Sequence, residues 1–584
     1  MARSAWKSDS CKWNIMPIFN GAEDLGDTLR MSPLIAQLLY NRGVMEHDAA
    51  RSFLRPRLKA LCDPVDLPGC KEGAERIARA VKDRRKICIY GDYDVDGITG
   101  TAIMISCIRM CGGEVDYYVP HRLEEGYGLN AGALQEIADL GAELVITVDC
   151  GVSSAELVSR FSGQLDILVT DHHSLPETIP EGAGVVHPCL GDEYSNPDLC
   201  GAGVAFKLAW QTAREICGSE KVDKRMRNFL LEVISLAGLG TIADYVPLVG
   251  ENRIIATYGL RGLPSAPNNG IKALLRSTGL EGRDVDSFHV GFVLAPRLNA
   301  AGRMGHARDA VDLLTTDSPG RAVEIAGRLE QKNEQRKKIE RQITDEAIAM
   351  VRSEGLDDSG VKALVLASDS WHGGVIGIVA SRLVDEFSRP AVVINIGENG
   401  TAQGSARSIS GFHMSDALDS CSDHLLSYGG HAMAGGLRME ISRIDAFKKA
   451  FLALAEEHIS ADRFLPTLDV DAEVSVDDLG YSVVRLMDSM GPFGPGNPRP
   501  LVVLRGCELS GEAKRMGRRG TTIGLLLDQN GRYIRAVGFQ MSRLPDYLAG
   551  SRKIDVVGQP VLNRFRGNSN VELEIKDVRR ADEK

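Results

Sequence analysis

The sequence predicts an α/β protein built in series: a parallel-sheet domain, a long connecting helix, a second α/β domain and a small C-terminal β-barrel of the OB type. Three observations predict it. Short apolar runs alternate with helix-like segments between about residues 85 and 190, the rhythm of a parallel sheet covered by helices. The stretch Arg321–Ser353 holds one Gly and no Pro and is rich in Glu, Lys, Arg and Gln. After the Gly/Pro signpost "GPFGPGNPRP" (Gly491–Pro500) come five short alternating β-runs.

Taken in order, the first 75 residues read as short helices ("SPLIAQLLYNRG", "EHDAARSFL") between Pro-rich breaks, with no visible chemistry. The strands of the first sheet are expected at Ile87–Tyr90, Val115–Val119, Leu144–Val148, Asp166–Val169 and Gly184–Val186. Helices are expected at Ile98–Met110, Ala131–Leu140 and Ala155–Phe161, then at Val204–Ile216 and Phe229–Ile242. Arg321–Ser353 is a long solvated helix by its charge pattern. A second αβ region starts at "VKALVLAS" and runs to about Ile459. The last strands are expected at Leu501–Leu504, Gly520–Leu527, Tyr533–Gly538, Lys553–Gly558 and Val571–Ile575, a number and length that suit a small barrel. The expected boundaries are 1–75, 76–260, 261–358, 359–460 and 461–584.

Composition bounds the function. The 584 residues are 43% hydrophobic and 25% charged, enough apolar surface for several cores. No run of about 18 apolar residues is evident, so neither a membrane span nor a membrane partner is expected. The N-terminal "MARSAWKSDSCKW" has no apolar core of the secretory type. Twelve cysteines without a CxxC pair argue against a zinc ribbon or a disulfide frame; reduced thiols and a cytoplasmic location are expected. The net charge is −11, but Leu501–Lys584 carries 16 Lys/Arg against 10 Asp/Glu. The tail is thus +6 on a body of −17, and a basic barrel suits a phosphate backbone.

The chemistry lies at the ends of the strands. Asp94 and Asp96 in "IYGDYDVDG" follow the first predicted strand, Asp149 in "VITVDCGVS" ends another, and Asp171, His172 and His173 in "ILVTDHHSLP" end a third. In a doubly wound sheet these ends form one rim, where ligands bind. Asp244 in "GLGTIADYVPL" follows a helix and can join them. Any single Asp after a strand also reads as a helix N-cap, and a His pair reads as an internally satisfied one; the same event on three strands favours a metal site. Mostly oxygen donors with one imidazole suit Mg²⁺ or Mn²⁺ better than zinc.

"DYDVDG", "VDCG", "TDHH" and "ADYVPL", in this order, resemble the four motifs of the DHH phosphoesterase superfamily. "CGAGVAFKLAW", "PRLNAAGRMGHARDAVDLLTT", "WHGGVIGIVASRL", "GSARS", "GGHAMAGG" and "GPFGPGNPRP" narrow the resemblance to the RecJ family over about residues 10–575. It implies a DHH domain, a connecting helix, a DHHA1 domain and an OB-fold. It implies a 5′→3′ exonuclease that degrades single-stranded DNA to 5′-mononucleotides in DNA repair and recombination. Carried over by position, the ligands of two divalent ions, Mn²⁺ or Mg²⁺, would be Asp94, Asp96, Asp149, His172 and Asp244. Asp149 would bridge the ions, and Asp149, His172 and His173 would be catalytic, with His173 second to the metals or on the scissile phosphate. Nucleic-acid contacts would be Arg303, His372, Ser405, Arg407, Ser408 and His431.

The resemblance also implies a single-strand-binding protein and a RecQ-type helicase as partners. Many relatives carry His where this chain has Tyr90, which leaves the first metal to a weaker site, to water or to Asp92. Lys514, Arg515, Arg518 and Arg519 are candidate backbone contacts. Arg564 and Arg566 flank Phe565, a candidate stacking ring. The alternative activity is that of a small-substrate DHH phosphodiesterase, on oligoribonucleotides or cyclic dinucleotides. A binding relative with a dead site is disfavoured because all four aspartates and His172 are present.

Overall fold

The first strand of the computed structural model, β1 (Lys12–Ile15), lies where only helices were expected. It pairs in parallel with a strand more than 450 residues away, in register from Lys12–Thr467 to Ile15–Val470. The four-residue alternation is too short to stand out in sequence, yet it turns Trp13 and Ile15 onto Val470, Val503 and Val557. The Trp13 indole donates to Asp577 at 2.8 Å and lies 4.0 Å under the Arg579 guanidinium. The structure describes residues 11–191, 193–358, 360–459, 467–565 and 568–581, excepting the side chains of 564, 565 and 568. Phe565, Arg564 and Arg566, named above, lie outside that description.

Two compact units result: residues 55–337 with 492–498, and residues 1–54 with 338–491 and 499–584. In the first, β2 (Ile87–Gly91), β3 (Val115–Tyr118), β4 (Leu144–Val148), β5 (Asp166–Thr170) and β6 (Gly184–Val186) form an all-parallel sheet in the order β3-β2-β4-β5-β6. Helices Val95–Met110, Gly201–Cys217 and Lys224–Ala243 supply much of its main core. Lys224–Ala243 is long and apolar enough to cross a membrane by length and composition alone, although it contains Lys, Arg and Glu and no unbroken apolar run of the kind expected to be absent. It is mostly buried among neighbouring helices, so it serves as a core helix.

The long helix is Pro319–Ser353, as its composition predicts. Beyond it lie β7 (Leu364–Ser368), β8 (Ala391–Ile396), β9 (Thr401–Arg407), β10 (Ser427–His431) and β11 (Ala434–Glu440), in the order β10-β11-β9-β8-β7. β12 (Thr467–Val470) is the partner of β1, and β13 (Ala472–Glu473) is short. Then come β14 (Val502–Leu509), β15 (Lys514–Met516), β16 (Thr522–Gln529), β17 (Arg532–Gly538), β18 (Lys553–Phe565) and β19 (Asn568–Arg580). A β14–β16 pairing closes β14, β18, β19, β17 and β16 into a five-stranded barrel, so the predicted OB-type barrel is present, with two short strands added. All twelve cysteines are free thiols.

Candidate metal centre and nucleic-acid contacts

Every acidic motif residue stands where a β-strand or helix ends in the parallel-sheet unit. Asp94 caps the helix Val95–Met110, its Oδ1 accepting from the N–H groups of Asp96 (2.9 Å) and Gly97 (3.2 Å). The capping reading and the ligand reading therefore both hold for it. Asp96, nearly inaccessible, is aimed at the start of the helix Gly201–Cys217. Its Oδ2 accepts from the Gly201 N–H (2.6 Å) and its Oδ1 from the Ala202 N–H (2.9 Å). Unpaired amides and the helix dipole favour an anion there. That is the local role of "CGAGVAF".

Glycine is required for so close an approach. A Cβ on Gly201 would stand 2.7 Å from Asp149 Cβ, and one on Gly240 would stand 2.7 Å from Asp96 Oδ1. Asp149 itself is 2% exposed and has φ +64°, an unfavourable conformation for a non-glycine residue.

The donor atoms gather into three groups, each within 4.8 Å: Asp92, Asp94 and Asp149; Asp96, His172 and Asp244; Asp149, His172 and His173. His172 Nε2 is 3.1 Å from Asp149 Oδ1 and 3.7 Å from both Asp96 Oδ2 and Asp244 Oδ2. All five carried-over ligand positions thus converge, with Asp92 and His173 added. Three buried donors, Asp92 Oδ1, Asp149 Oδ1 and His172 Nε2, find no hydrogen-bond partner. Orphaned buried polar atoms are costly. Here they converge on one place, and once deprotonated they offer mostly oxygen donors with one imidazole, the set a hard divalent cation takes. The residues present fit such ions.

Electrostatics agree. Burial, then the neighbouring Asp94 charge, pushes Asp92 up to about 8 and Asp96 up to about 6. Burial and the Asp96 charge raise Asp244 to about 7, and burial with four aspartate neighbours raises Asp149 strongly. Burial lowers His172 despite Asp244, keeping it a neutral imidazole of the kind that ligates.

Asp171 has a different role from the rim ligand it resembles in sequence. Its oxygens accept from the backbone N–H groups of Val152, His172 and His173 and from His173 Nδ1 (2.8 Å). Burial opposes its charge, but these bonds and the His173 charge hold it down at about 2. His173 is desolvated too, yet Asp171 raises it to about 9, so it stands as an imidazolium beside the carboxylates.

Tyr90 does not enter any group. Its hydroxyl donates to the Gly128 carbonyl (2.9 Å) and takes a bond from Asn130 (3.2 Å), and its ring stacks on Tyr118. Asp92 is the residue that completes the first group. Sequence reasoning passed over the loop after β3, although it leaves the same rim. Arg122 stacks 4.6 Å over the Tyr93 ring and bears on Asp92. Tyr127 donates to the Asp149 carbonyl (3.1 Å), with its hydroxyl 2.9 Å from His173 Nδ1. The signal was positional: every loop at the carboxyl end of a parallel strand is a candidate.

Arg303 ends the helix Ala295–Arg303 beside Gly302, which backs onto Tyr93, and its charge acts on the Tyr93 hydroxyl. In the other unit, Arg407 of β9 pairs with Ala434 of β11, which pairs with His431 of β10. Arg407 donates to the Ser405 hydroxyl (3.1 Å). His372 accepts from the Gly374 N–H (3.0 Å) at the turn before helix Ile376–Phe387. Ser408 departs from its expected role as a nucleic-acid contact: it is buried and its hydroxyl donates to the Phe412 carbonyl (2.5 Å), closing a turn. Lys514 and Arg515 lie on β15, with Arg518 and Arg519 in the following turn. Leu526 (43% exposed) faces Arg535 across β16–β17, and Asp528 faces Tyr533 (58% exposed).

Family models match three stretches: the DHH family N-terminal domain over residues 86–237, the DHHA1 domain over 360–457 and the RecJ OB domain over 470–577. The single-stranded-DNA-specific exonuclease RecJ of Bacillus subtilis is 37% identical over 572 residues, 97% of this chain and 70% of its own. Its Escherichia coli counterpart is 32% identical, covering 94% of this chain and 96% of its own. The crystal structure of Thermus thermophilus RecJ with Mn²⁺ aligns at a TM-score of 0.83 and 30% identity over 98% of this chain and 80% of that one; the Mg²⁺ complex aligns at 0.78.

Proposed function

The chain belongs to the RecJ family of single-stranded-DNA-specific exonucleases, and from that premise we propose that it is a metal-dependent nuclease that removes 5′-mononucleotides from the 5′ end of single-stranded DNA, in repair and recombination. The observation that carries the reading is the convergence of Asp92, Asp149 and His172 with three buried, unsatisfied donor atoms. Asp92, Asp94 and Asp149 would hold one cation and Asp96, His172 and Asp244 the second, with Asp149 common to both. When bound, Mn²⁺ or Mg²⁺ supplies positive charge that acidifies a water and offsets charge developing on the phosphoryl group.

The chain's own residues supply the rest. The amides of Gly201 and Ala202 fix the Asp96 carboxylate before any substrate arrives, so no reorganisation is needed at the reaction. Asp171 orients both histidines through their backbone and keeps His173 charged beside the cluster, where it attracts the scissile phosphate. Arg122 and Arg303 flank Tyr93 and give forked donors to phosphate oxygens. Arg407, Ser405 and His431 are assigned to further phosphates. The barrel residues Lys514, Arg535, Tyr533 and Leu526 combine charge with surface on which bases pack.

End-labelled single strands blocked at one end or the other, digested with each metal, test the reading. We expect mononucleotides from the 5′ end. Release from the 3′ end would overturn the polarity, and faster turnover of dinucleotides than of long strands would favour the small-substrate alternative. Arg407→Ala is expected to weaken single-strand binding and to lower the slope of log K against log salt by about 0.7. Anisotropy titrations across salt measure both, and an unchanged slope removes Arg407 from the phosphate contacts.

A further inference from the structure

We propose that Tyr245 is a stacking platform for a base next to the scissile phosphate. The inference rests on the nuclease reading and adds a specificity residue to it. Tyr245 directly follows Asp244, whose Oδ2 lies 3.7 Å from His172 Nε2. Its side chain is 74% exposed and its backbone is left-handed, φ +70°.

The backbone has a plain cause. The helix Lys224–Ala243 ends here, Asp244 N–H donating to the Gly240 carbonyl, and the residue after such an end commonly turns left-handed. Glycine takes that conformation without steric penalty. A tyrosine is unfavourable twice over, because its Cβ resists the left-handed region and its ring is left in water. Helix termination explains the turn but not the ring.

The ring also stands on a fixed base. The helix holds the chain before it. After it, Leu248 N–H donates to the Pro495 carbonyl (2.8 Å), and the Asn252 amide donates to the carbonyls of Pro247 (3.1 Å) and Asp198 (2.7 Å). An exposed ring on pinned backbone orders little on binding. Stacking is tolerant of sequence because every base has a π-face. An enzyme that must accept each nucleotide in turn needs a contact of that kind beside its carboxylates.

The test is steady-state kinetics on a 5′-phosphorylated single strand, intact or with an abasic residue at either nucleotide flanking the scissile phosphate. Tyr245→Ala should raise KM about tenfold with kcat within about twofold, and Tyr245→Phe should match the wild type. On one of the abasic strands, wild type and Tyr245→Ala should become equal. Tyr245→Gly should bind as weakly as Tyr245→Ala while its Tm stays at or above that of the wild type, which separates lost stacking from lost folding. The proposal is overturned if Tyr245→Ala matches the wild type, if Tyr245→Phe is as impaired as Tyr245→Ala, or if the Tyr245→Ala defect persists on both abasic strands. Should the wild type fail to hydrolyse single strands at all, the nuclease reading falls. Anisotropy of a labelled single strand with wild type and Tyr245→Ala then decides the stacking by itself: tenfold weaker binding supports it and equal binding rejects it.

Discussion

Asp149→Ala is expected to lower the rate of phosphodiester hydrolysis by at least about 10³-fold, a loss of roughly 4 kcal/mol of transition-state stabilisation. Asp149 belongs to the Asp92–Asp94 group, and its Oδ1 lies 3.1 Å from His172 Nε2 of the Asp96–Asp244 group, so its loss bears on both proposed cation positions. The same substitution should not unfold the protein. It removes a buried carboxyl whose Oδ1 has no hydrogen-bond partner and whose ionisation burial and four neighbouring aspartates oppose. Metal-free Tm at pH 8 should therefore equal or exceed that of the wild type, and single-strand binding should persist. Single-turnover assays, calorimetry and anisotropy check the three parts. Hydrolysis at the wild-type rate would remove Asp149 from the centre of the chemistry.

The second large effect is on stability. In chelator, unfolding should occur at lower temperature as pH rises from 5 to 8.5, by roughly 5 °C or more. The sign follows from the carboxyls. Asp96, Asp244 and Asp92 have folded-state pKa values raised to about 6, 7 and 8. A group raised in the folded state stabilises below its unfolded value, near 4, and that contribution is lost as pH rises through the folded value. The window is therefore pH 4 to 8. His173, raised to about 9, adds to the trend because its unfolded counterpart loses its proton near 6.5, and Asp171, lowered to about 2, changes stability only below this window. Excess Mn²⁺ should reverse it, raising Tm most at pH 8, where the carboxyls are most nearly ionised; at a hundred times Kd, binding contributes about 2.7 kcal/mol. Differential scanning calorimetry with and without Mn²⁺ measures the curve. A metal-free Tm that climbs from pH 5 to 8.5 would show that these carboxyls are not held together in the folded chain.

The contrast between Asp149 and Asp171 shows where sequence reading stops. Both follow apolar strands, both precede motif residues, and the periodicity that predicts one predicts the other. The family resemblance set Asp171 apart from the ligands without a reason, and the packed structure supplies one: Asp171 meets three backbone N–H groups and His173 while Asp149 meets none at Oδ1. Tyr90 and Ser408 teach the same lesson. A phenol at a position where the family resemblance implied a histidine finds partners on the loop after β3, and a serine inside a phosphate-like motif spends its hydroxyl on a turn.

By itself, the sequence determined the strand–helix alternation of the first unit, the long helix, the barrel and the aspartates and histidines at one rim. These follow from local hydrophobic period, from Gly/Pro punctuation and from the rule that parallel strands end together, all of which act within a few residues of the chain. Tertiary structure alone decided which carboxylates stay unsatisfied, that Asp92 rather than Tyr90 gathers with Asp94 and Asp149, that β1 joins β12, and that Arg122 and Tyr127 reach the centre. Those outcomes depend on contacts between segments distant in sequence, where burial and the geometry of available N–H groups set each side chain's role, and no local pattern encodes either.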